Sequence, residues 1–150
     1  MKKITQNELE SLIKTKIEKL KEAELGTFNW TKEDQAAANF MMLKLLHATL
    51  SNARMHGADL SRARLIGANL SGADLSNADL MGANLCMANL SGADLHGSRL
   101  IFSYLMGTDL SGANLSDADL KEAKYDQNTK WPDGFDPITA GAILKSEAKI

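Results

Sequence analysis

Between Ala48 and Gln127 the sequence repeats every five residues, with no insertion or deletion. Ala58-Asp59-Leu60-Ser61-Arg62, Ala68-Asn69-Leu70-Ser71-Gly72 and Ala93-Asp94-Leu95-His96-Gly97 share one pattern: a small residue, Asp or Asn, Leu, then two variable positions. Sixteen consecutive units fit. A period of five suits neither regular element. In an α-helix five residues turn about 500°, so the leucines would spiral around the whole surface. In a flat strand an odd period sends Leu to alternate faces. Both conflicts vanish if the chain turns a corner once per unit. The small residue and the Leu then face one interior, and successive coils stack into a solenoid.

The outward positions set the size of a coil. Ser recurs at 51, 71, 91 and 111, and Ile66, Cys86 and Met106 fall in another column of the same spacing. Twenty residues, or four units, therefore close one circuit, and the sixteen units make about four coils. At about 4.8 Å per layer such a stack is roughly 19 Å tall. Glycine occupies the last position of many units (Gly57, Gly67, Gly72, Gly82, Gly92, Gly97, Gly107, Gly112), where a type II turn requires positive φ. Arg62, Met87 and Phe102 hold the same place, so their corners are expected to take another turn type. Aromatic residues make up 5% of the chain against 44% hydrophobic, so the core must be built from Leu and Ala.

This A-(D/N)-L-x-x register resembles the pentapeptide-repeat family, whose fold is an all-β solenoid, a right-handed quadrilateral β-helix. The resemblance implies a core ladder of Leu60, Leu65, Leu70, Leu75, Leu80, Leu85, Leu90, Leu95, Leu100, Leu105, Leu110, Leu115 and Leu120, preceded by Leu50. Every fifth residue from Ala48 to Ala123 supplies the small inward partner. Met55 and Tyr125 depart from the pattern at central positions, and Ser98, Ser103 and Thr108 replace Ala. These three hydroxyls face inward and are expected to bond to backbone carbonyls of their own coil. The stretch from Tyr125 to Pro137 is similar to a tail that often closes cyanobacterial members.

The flanks read as caps. Thr5 and Glu8 form a capping box, and Leu9, Leu12, Ile13, Ile17 and Leu20 follow helical spacing, predicting a helix over 6–24. A second cap at Thr31-Lys32-Glu33-Asp34 opens a helix over 32–46. Residues 38–47 also fit the five-residue register, but there Met41, Met42 and Leu46 would point to solvent. Residues 1–47 thus form an N-terminal α-helical cap, 48–127 the β-helix and 128–150 a capping tail. Pro132-Asp133-Gly134 marks a turn, with Trp131 and Phe135 beside it. Together with Tyr125 they form the expected end cap, and residues 138–150 either make a short helix or fray.

The chemistry is sparse. Net charge is −2, from 17 basic and 19 acidic residues, which favours neither nucleic-acid binding nor an acidic mimic of it. The lone Cys86 excludes an intrachain disulfide and suits a reducing compartment, and no apolar run reaches membrane-spanning length. The expected location is the cytoplasm. His56 and His96 share a column two coils apart, too far to share one metal. The Asp and Asn before each Leu recur with the repeat and are read as backbone-bonding at the corners. No catalytic residue, cofactor, metal, membrane or small-molecule substrate is expected.

Sorting outward residues by twenty gives two small polar faces and two adjoining faces with an apolar cluster: Ile66, Met81, Cys86, Met87, Ile101, Phe102, Tyr104 and Met106. A patch of that kind is normally covered. The N-terminal helices, a partner protein or second copy, or simple stacking between coils are the three candidate explanations. The expectation carried forward is a non-enzymatic protein-contact or scaffold module that binds an unidentified protein or itself. The family resemblance also brings a DNA-mimicking topoisomerase inhibitor, which nine acidic against six basic residues in 48–127 disfavour. It brings, in addition, a regulator of cyanobacterial cell differentiation acting on a transcription factor.

Overall fold

The structure is a computed structural model and describes residues 50–146. The helices expected at 6–24 and 32–46, the alternative half coil at 38–47, the units before Leu50 and residues 147–150 lie outside the described residues.

From Leu50 onward the chain winds as a parallel ladder. Bridges join residues twenty apart without interruption, from Arg54↔Asp74 to Tyr104↔Lys124. One unit shows how each layer is held. Asp74 N–H donates to Ala53 O at 2.9 Å in the coil before, and Leu75 N–H to Asp94 O at 2.8 Å in the coil after. Asn77 N–H reaches His96 O at 2.8 Å, and Ala78 N–H closes the corner onto Leu75 O at 3.0 Å. A second clamp is a side chain: Asp74 Oδ1 accepts the N–H of Ser76 at 3.1 Å. The Asp or Asn of other units does the same, as at Asn69, Asn84 and Asp94. This is the local Asx turn that these residue types favour, so the polar half of the repeat shapes the corners.

The corners from Asn52 to Glu122 share one conformation. The eight repeat glycines have φ between 64° and 67°. Arg62, Met87 and Phe102, expected to differ, have φ of 60°, 59° and 58°, and Asn52, Asn77, Asp117 and Glu122 join them. The turn bond recurs at every one of these corners, and Asn52, Arg62, Asn77, Met87 and Phe102 also donate their amides to a carbonyl of the next coil. Asp117 keeps the same φ with no such partner among the described residues, so the tight turn itself imposes left-handed geometry on whatever residue is present.

The interior is lined by the Leu and the small residue of each unit. Leu65 to Leu110 are fully buried, Leu60 and Leu120 nearly so, and Met55 fills its central position at 1% exposure. Burying one Leu contributes about 2 kcal/mol, so the ladder is the main source of stability. Ser98, Ser103 and Thr108 are also fully buried. Thr108 Oγ1 donates to Leu85 O at 2.8 Å, a carbonyl of the preceding coil and not of its own, because the hydroxyl points along the stack axis. Ser98 Oγ and Ser103 Oγ have no hydrogen-bond partner among the described residues.

The twenty-residue step ends after β1 (Lys124–Tyr125), where Asp109 pairs with Lys130, twenty-one residues on. Asp126 absorbs the extra residue. One coil earlier in this column, Met87 N–H donates to the carbonyl of Met106 at 2.9 Å. Here Gly107 N–H donates to the Asp126 carboxylate at 3.0 Å, so a side chain replaces a backbone carbonyl. Thr129 then takes the inward position over Thr108 and donates to Leu105 O at 2.8 Å.

The tail closes this end. Trp131 meets Tyr125 edge-on and stacks on Phe135, both at 5.3 Å between ring centroids. The chain turns at Pro132–Phe135 and again over 137–141. It then enters β2 (Ile143–Leu144), which pairs in parallel with β1. A strand thus replaces the helix or fray expected after 138. The carbonyls of Ala123 and Tyr125, at and beside β1, draw the tail into the ladder: Ile143 N–H donates to Ala123 O and Lys145 N–H to Tyr125 O, both at 2.7 Å. Gly141 makes the approach possible, since a β-carbon there would stand 3.3 Å from Lys121 Cα.

Candidate protein-contact surface

The eight apolar residues singled out in the sequence fall on one edge of the solenoid. Met81, Ile101 and Phe102 sit at one corner, and Ile66, Cys86, Met87 and Met106 at the next. Between the corners runs the bridge column Arg64–Asn84–Tyr104–Lys124, which places Tyr104 in the middle. The fold therefore brings them together, but they are not equally accessible. Ile66, Met81, Cys86, Ile101, Tyr104 and Met106 are half-buried in their columns. Met87 and Phe102 stand out, with 74% and 52% of their surface exposed. Both occupy the left-handed corner position. Met87 leans along the stack, with Cγ 3.4 Å from where a β-carbon on Gly107 would be. Burial raises the pKa of the Cys86 thiol, which keeps it protonated and unreactive at neutral pH.

Charge is distributed unevenly among the four bridge columns. Arg54, Asp74, Asp94 and Asn114 sum to −1, and Asp59, Asp79, Arg99 and Asp119 to −2. Asn69, Asn89, Asp109 and Lys130 sum to zero. Arg64, Asn84, Tyr104 and Lys124 sum to +2, so the cationic column is the one flanked by the apolar corners. Lys124 Nζ lies 4.7 Å from the Tyr104 ring centroid, a cation–π contact between adjacent layers of the column. On the adjoining column Arg99 and Asp79 pair at 2.7 Å and largely cancel.

The remaining polar groups serve the ladder. His56 Nδ1 lies 2.8 Å from Ser76 Oγ, and His96 Nδ1 3.0 Å from Ser116 Oγ, each bridging adjacent coils. Among the described residues no group of three His, Cys, Asp or Glu side chains could hold a metal ion, and no helix is long and apolar enough to cross a membrane. Sequence reasoning overlooked two exposed tail residues, Ile138 at 67% and Leu144 at 52%. It also overlooked the charge of the central column, although residues 64, 84, 104 and 124 could have been read together at the same spacing of twenty.

The ladder, the repeated corners and the Leu core define a repeat protein of the parallel β-solenoid class. A family model for pentapeptide repeats matches eight copies in three overlapping stretches, residues 48–86, 58–97 and 88–124. The chain belongs to the pentapeptide-repeat family, and its solenoid is a right-handed β-helix. Among solved structures it is similar to alr5209, a pentapeptide repeat protein from Nostoc Pcc 7120. Identity is 35% over 73% of this chain and 94% of that one, with a TM-score of 0.51. Rfr23 from the cyanobacterium Cyanothece 51142 is 40% identical over 57% of this chain and 62% of its own, with a TM-score of 0.39. HetL, a pentapeptide repeat protein involved in heterocyst differentiation regulation in the cyanobacterium Nostoc sp. Strain PCC 7120, is 34% identical over 67% of this chain and 51% of its own, with a TM-score of 0.37. No curated protein sequence matches.

Proposed function

We propose that this chain is a non-enzymatic protein-contact module, a rigid solenoid that offers the edge around Met87 and Phe102 to another protein. One observation carries the reading: two large exposed hydrophobes sit at corners with φ of 59° and 58°. A non-glycine residue there costs about 1 kcal/mol relative to glycine. Asn52, Arg62, Asn77, Asp117 and Glu122 bear the same cost, and what sets Met87 and Phe102 apart is the large apolar surface that they leave exposed side by side. The test is Met87→Gly with Phe102→Gly. Both variants should hold or gain stability in urea unfolding, by up to about 1 kcal/mol each, while losing association in a pull-down. Association that survives both substitutions sinks the reading.

We propose that residues 1–47, read from their sequence as two helices, cap the first-coil end of a stack of about four coils. The amides of Arg54, Asp59 and Arg64 lead the ladder at that end, where the layer before falls outside the described residues. A bare rim invites end-to-end stacking, and a cap prevents it. Amide exchange at these three positions should be slow in the full chain and fast after deletion of 1–47, and equal rates would remove the cap. The single cysteine supports a reducing, cytoplasmic setting.

A further inference from the structure

We infer that the last coil takes a basic, extended segment of another protein, paired along the rim from Ala113 to Leu120. This rim is separate from the edge around Met87 and Phe102, and its failure as a site would leave that edge untouched. Within the ladder, the Leu and the last residue of a unit donate their amides to the next layer, and the small residue offers that layer a carbonyl. Leu75 N–H reaches Asp94 O, Asn77 N–H reaches His96 O, and Ala73 O accepts from Asp94 N–H. Above the last coil the tail supplies such a layer on one side only, where Gly141, Ile143 and Lys145 bond to Glu122, Ala123 and Tyr125. The amides of Leu115, Asp117 and Leu120 and the carbonyls of Ala113 and Ala118 meet no backbone partner among the described residues. Burial records the same gap. Ala113 and Leu115 keep 7% of their surface exposed and Ala118 is half-buried, whereas Ala73, Leu75, Ala78 and Ser98 in the same columns are sealed. β2 shows that such an edge accepts an extended segment from outside the repeat, since Ile143–Leu144 belongs to no five-residue unit and still pairs in parallel with β1.

Charge selects the occupant. The two bridge columns that end at this rim are the two acidic ones. In the last two coils these sides hold Asp94, Asp117, Asp119 and Glu122, and the exposed tail residues Asp133 and Asp136 join them at this end. Against these six carboxylates stand Lys121, Arg99, which Asp79 already engages at 2.7 Å, and His96, which lies 3.6 Å from Asp117. Lys124, Lys130 and Lys145 lie on the other sides, with Lys130 beside Asp109 at 3.7 Å. A strand bearing Lys or Arg would match the rim in sign, the backbone pairing giving the hold and the charges the choice of partner.

Two other occupants conflict with the same charges. A second copy stacked rim to rim by two-fold symmetry would set acid against acid, a repulsive arrangement. The chain's own residues 1–49 hold eight basic and seven acidic side chains, and residues 147–150 one of each, so neither segment has a basic bias to complement the rim.

The experiment follows amide hydrogen exchange by NMR in the full-length chain, alone, with a peptide of alternating Lys and Val, and with a control peptide of alternating Glu and Val. In the free chain Leu115 and Asp117 should exchange faster than Leu95 and Gly97, their counterparts one coil below. The Lys/Val peptide should slow both amides on the order of tenfold, an effect that weakens with added salt, and the Glu/Val peptide should leave them unchanged. Asp117→Asn combined with Asp119→Asn removes two charges and keeps an oxygen for the corner bond from the Lys121 amide. That variant, checked for folding by circular dichroism, should bind the Lys/Val peptide more weakly, on the order of tenfold. Slow exchange at Leu115 and Asp117 in the free chain at every concentration would mean that residues 1–49 or 147–150 already cover the rim, and overturns the inference. Exchange that slows only as protein concentration rises overturns it in favour of a second copy. Equal protection by the two peptides overturns the basic partner, and Lys/Val binding that leaves these amides fast, or no binding at all, overturns the pairing.

Discussion

The side-chain oxygen of Asn77 lies 2.5 Å from the point where a β-carbon on Gly97, one coil further on, would stand. Asn52 bears the same relation to Gly72. Gly57 and Gly92 have the same φ, 65°, but nothing lies within 4 Å of the place a β-carbon would take. Two costs that usually travel together are thus separated within one molecule. Gly57→Ala and Gly92→Ala should each lose only the left-handed penalty, about 1 kcal/mol. Gly72→Ala and Gly97→Ala should lose more, because the asparagine must move. Urea unfolding measures the difference, and Asn77→Gly should abolish the excess in Gly97→Ala. Equal losses at all four glycines would refute the packing account.

The three inward hydroxyls separate in the same manner. Ser98 and Ser103 bury an oxygen that finds no partner among the described residues, whereas Thr108 donates to Leu85 O. Ser98→Ala and Ser103→Ala should each raise stability by about 1 kcal/mol, and Thr108→Val should lower it by a similar amount. Thermal unfolding of the three variants gives the signs directly.

Asp126 predicts a dependence on pH. Burial pushes its pKa up, but the amides of Gly107 and Asn128 and the Thr129 hydroxyl outweigh that and hold it below the usual carboxylate value. A group depressed on folding stabilises the native state at pH values above its unfolded pKa, about 3.9, and that stabilisation is lost as pH falls through the lower folded value. Asp126→Asn should therefore be less stable than the parent at pH 7, and the gap should close below about pH 4. A gap that stays constant across this range would show that the carboxylate charge is irrelevant.

Trp131 links Tyr125 to Phe135 over the end of the core. Trp131→Ala should cost about 3 kcal/mol and, by loosening the rim, produce concentration-dependent association in light scattering.

Much of this was legible because a strict period admits few folds. Leu60 to Leu120 announced an inner ladder, and the serines at 51, 71, 91 and 111 announced four units per circuit. The corners at Arg62, Met87 and Phe102 were misjudged because the residue's own preference argues against positive φ there, while the turn bond that closes each corner decides it. The extra residue at Asp126 was hidden because the Leu that would have exposed the shift is replaced by Trp131 and the tail. β2 was hidden for a different reason: Ile143–Leu144 becomes a strand only because β1 offers a free edge, a non-local circumstance that no window around residue 143 contains. Of the eight edge residues, grouping was readable from spacing, but relative exposure depended on how the columns pack.

The lean of Asn52 over Gly72, Asn77 over Gly97 and Met87 over Gly107 always runs toward the C-terminus. The solenoid therefore has a grammar as well as a period: a side chain at one corner reserves the space above it, and a glycine one circuit later leaves that space free. Copying residues 70–89 in tandem would break this rule twice, because the second Asn77 would fall over the first and the second Met87 over the first. Copying residues 70–109 would keep it at both places, since Gly97 and Gly107 would still follow. Phe102 lies outside the rule, with Glu122 one circuit later, at the end where the ladder gives way to the tail. Recombination among such repeats is thus constrained by neighbours that never touch in sequence, and here the clean unit of exchange is a pair of adjoining circuits.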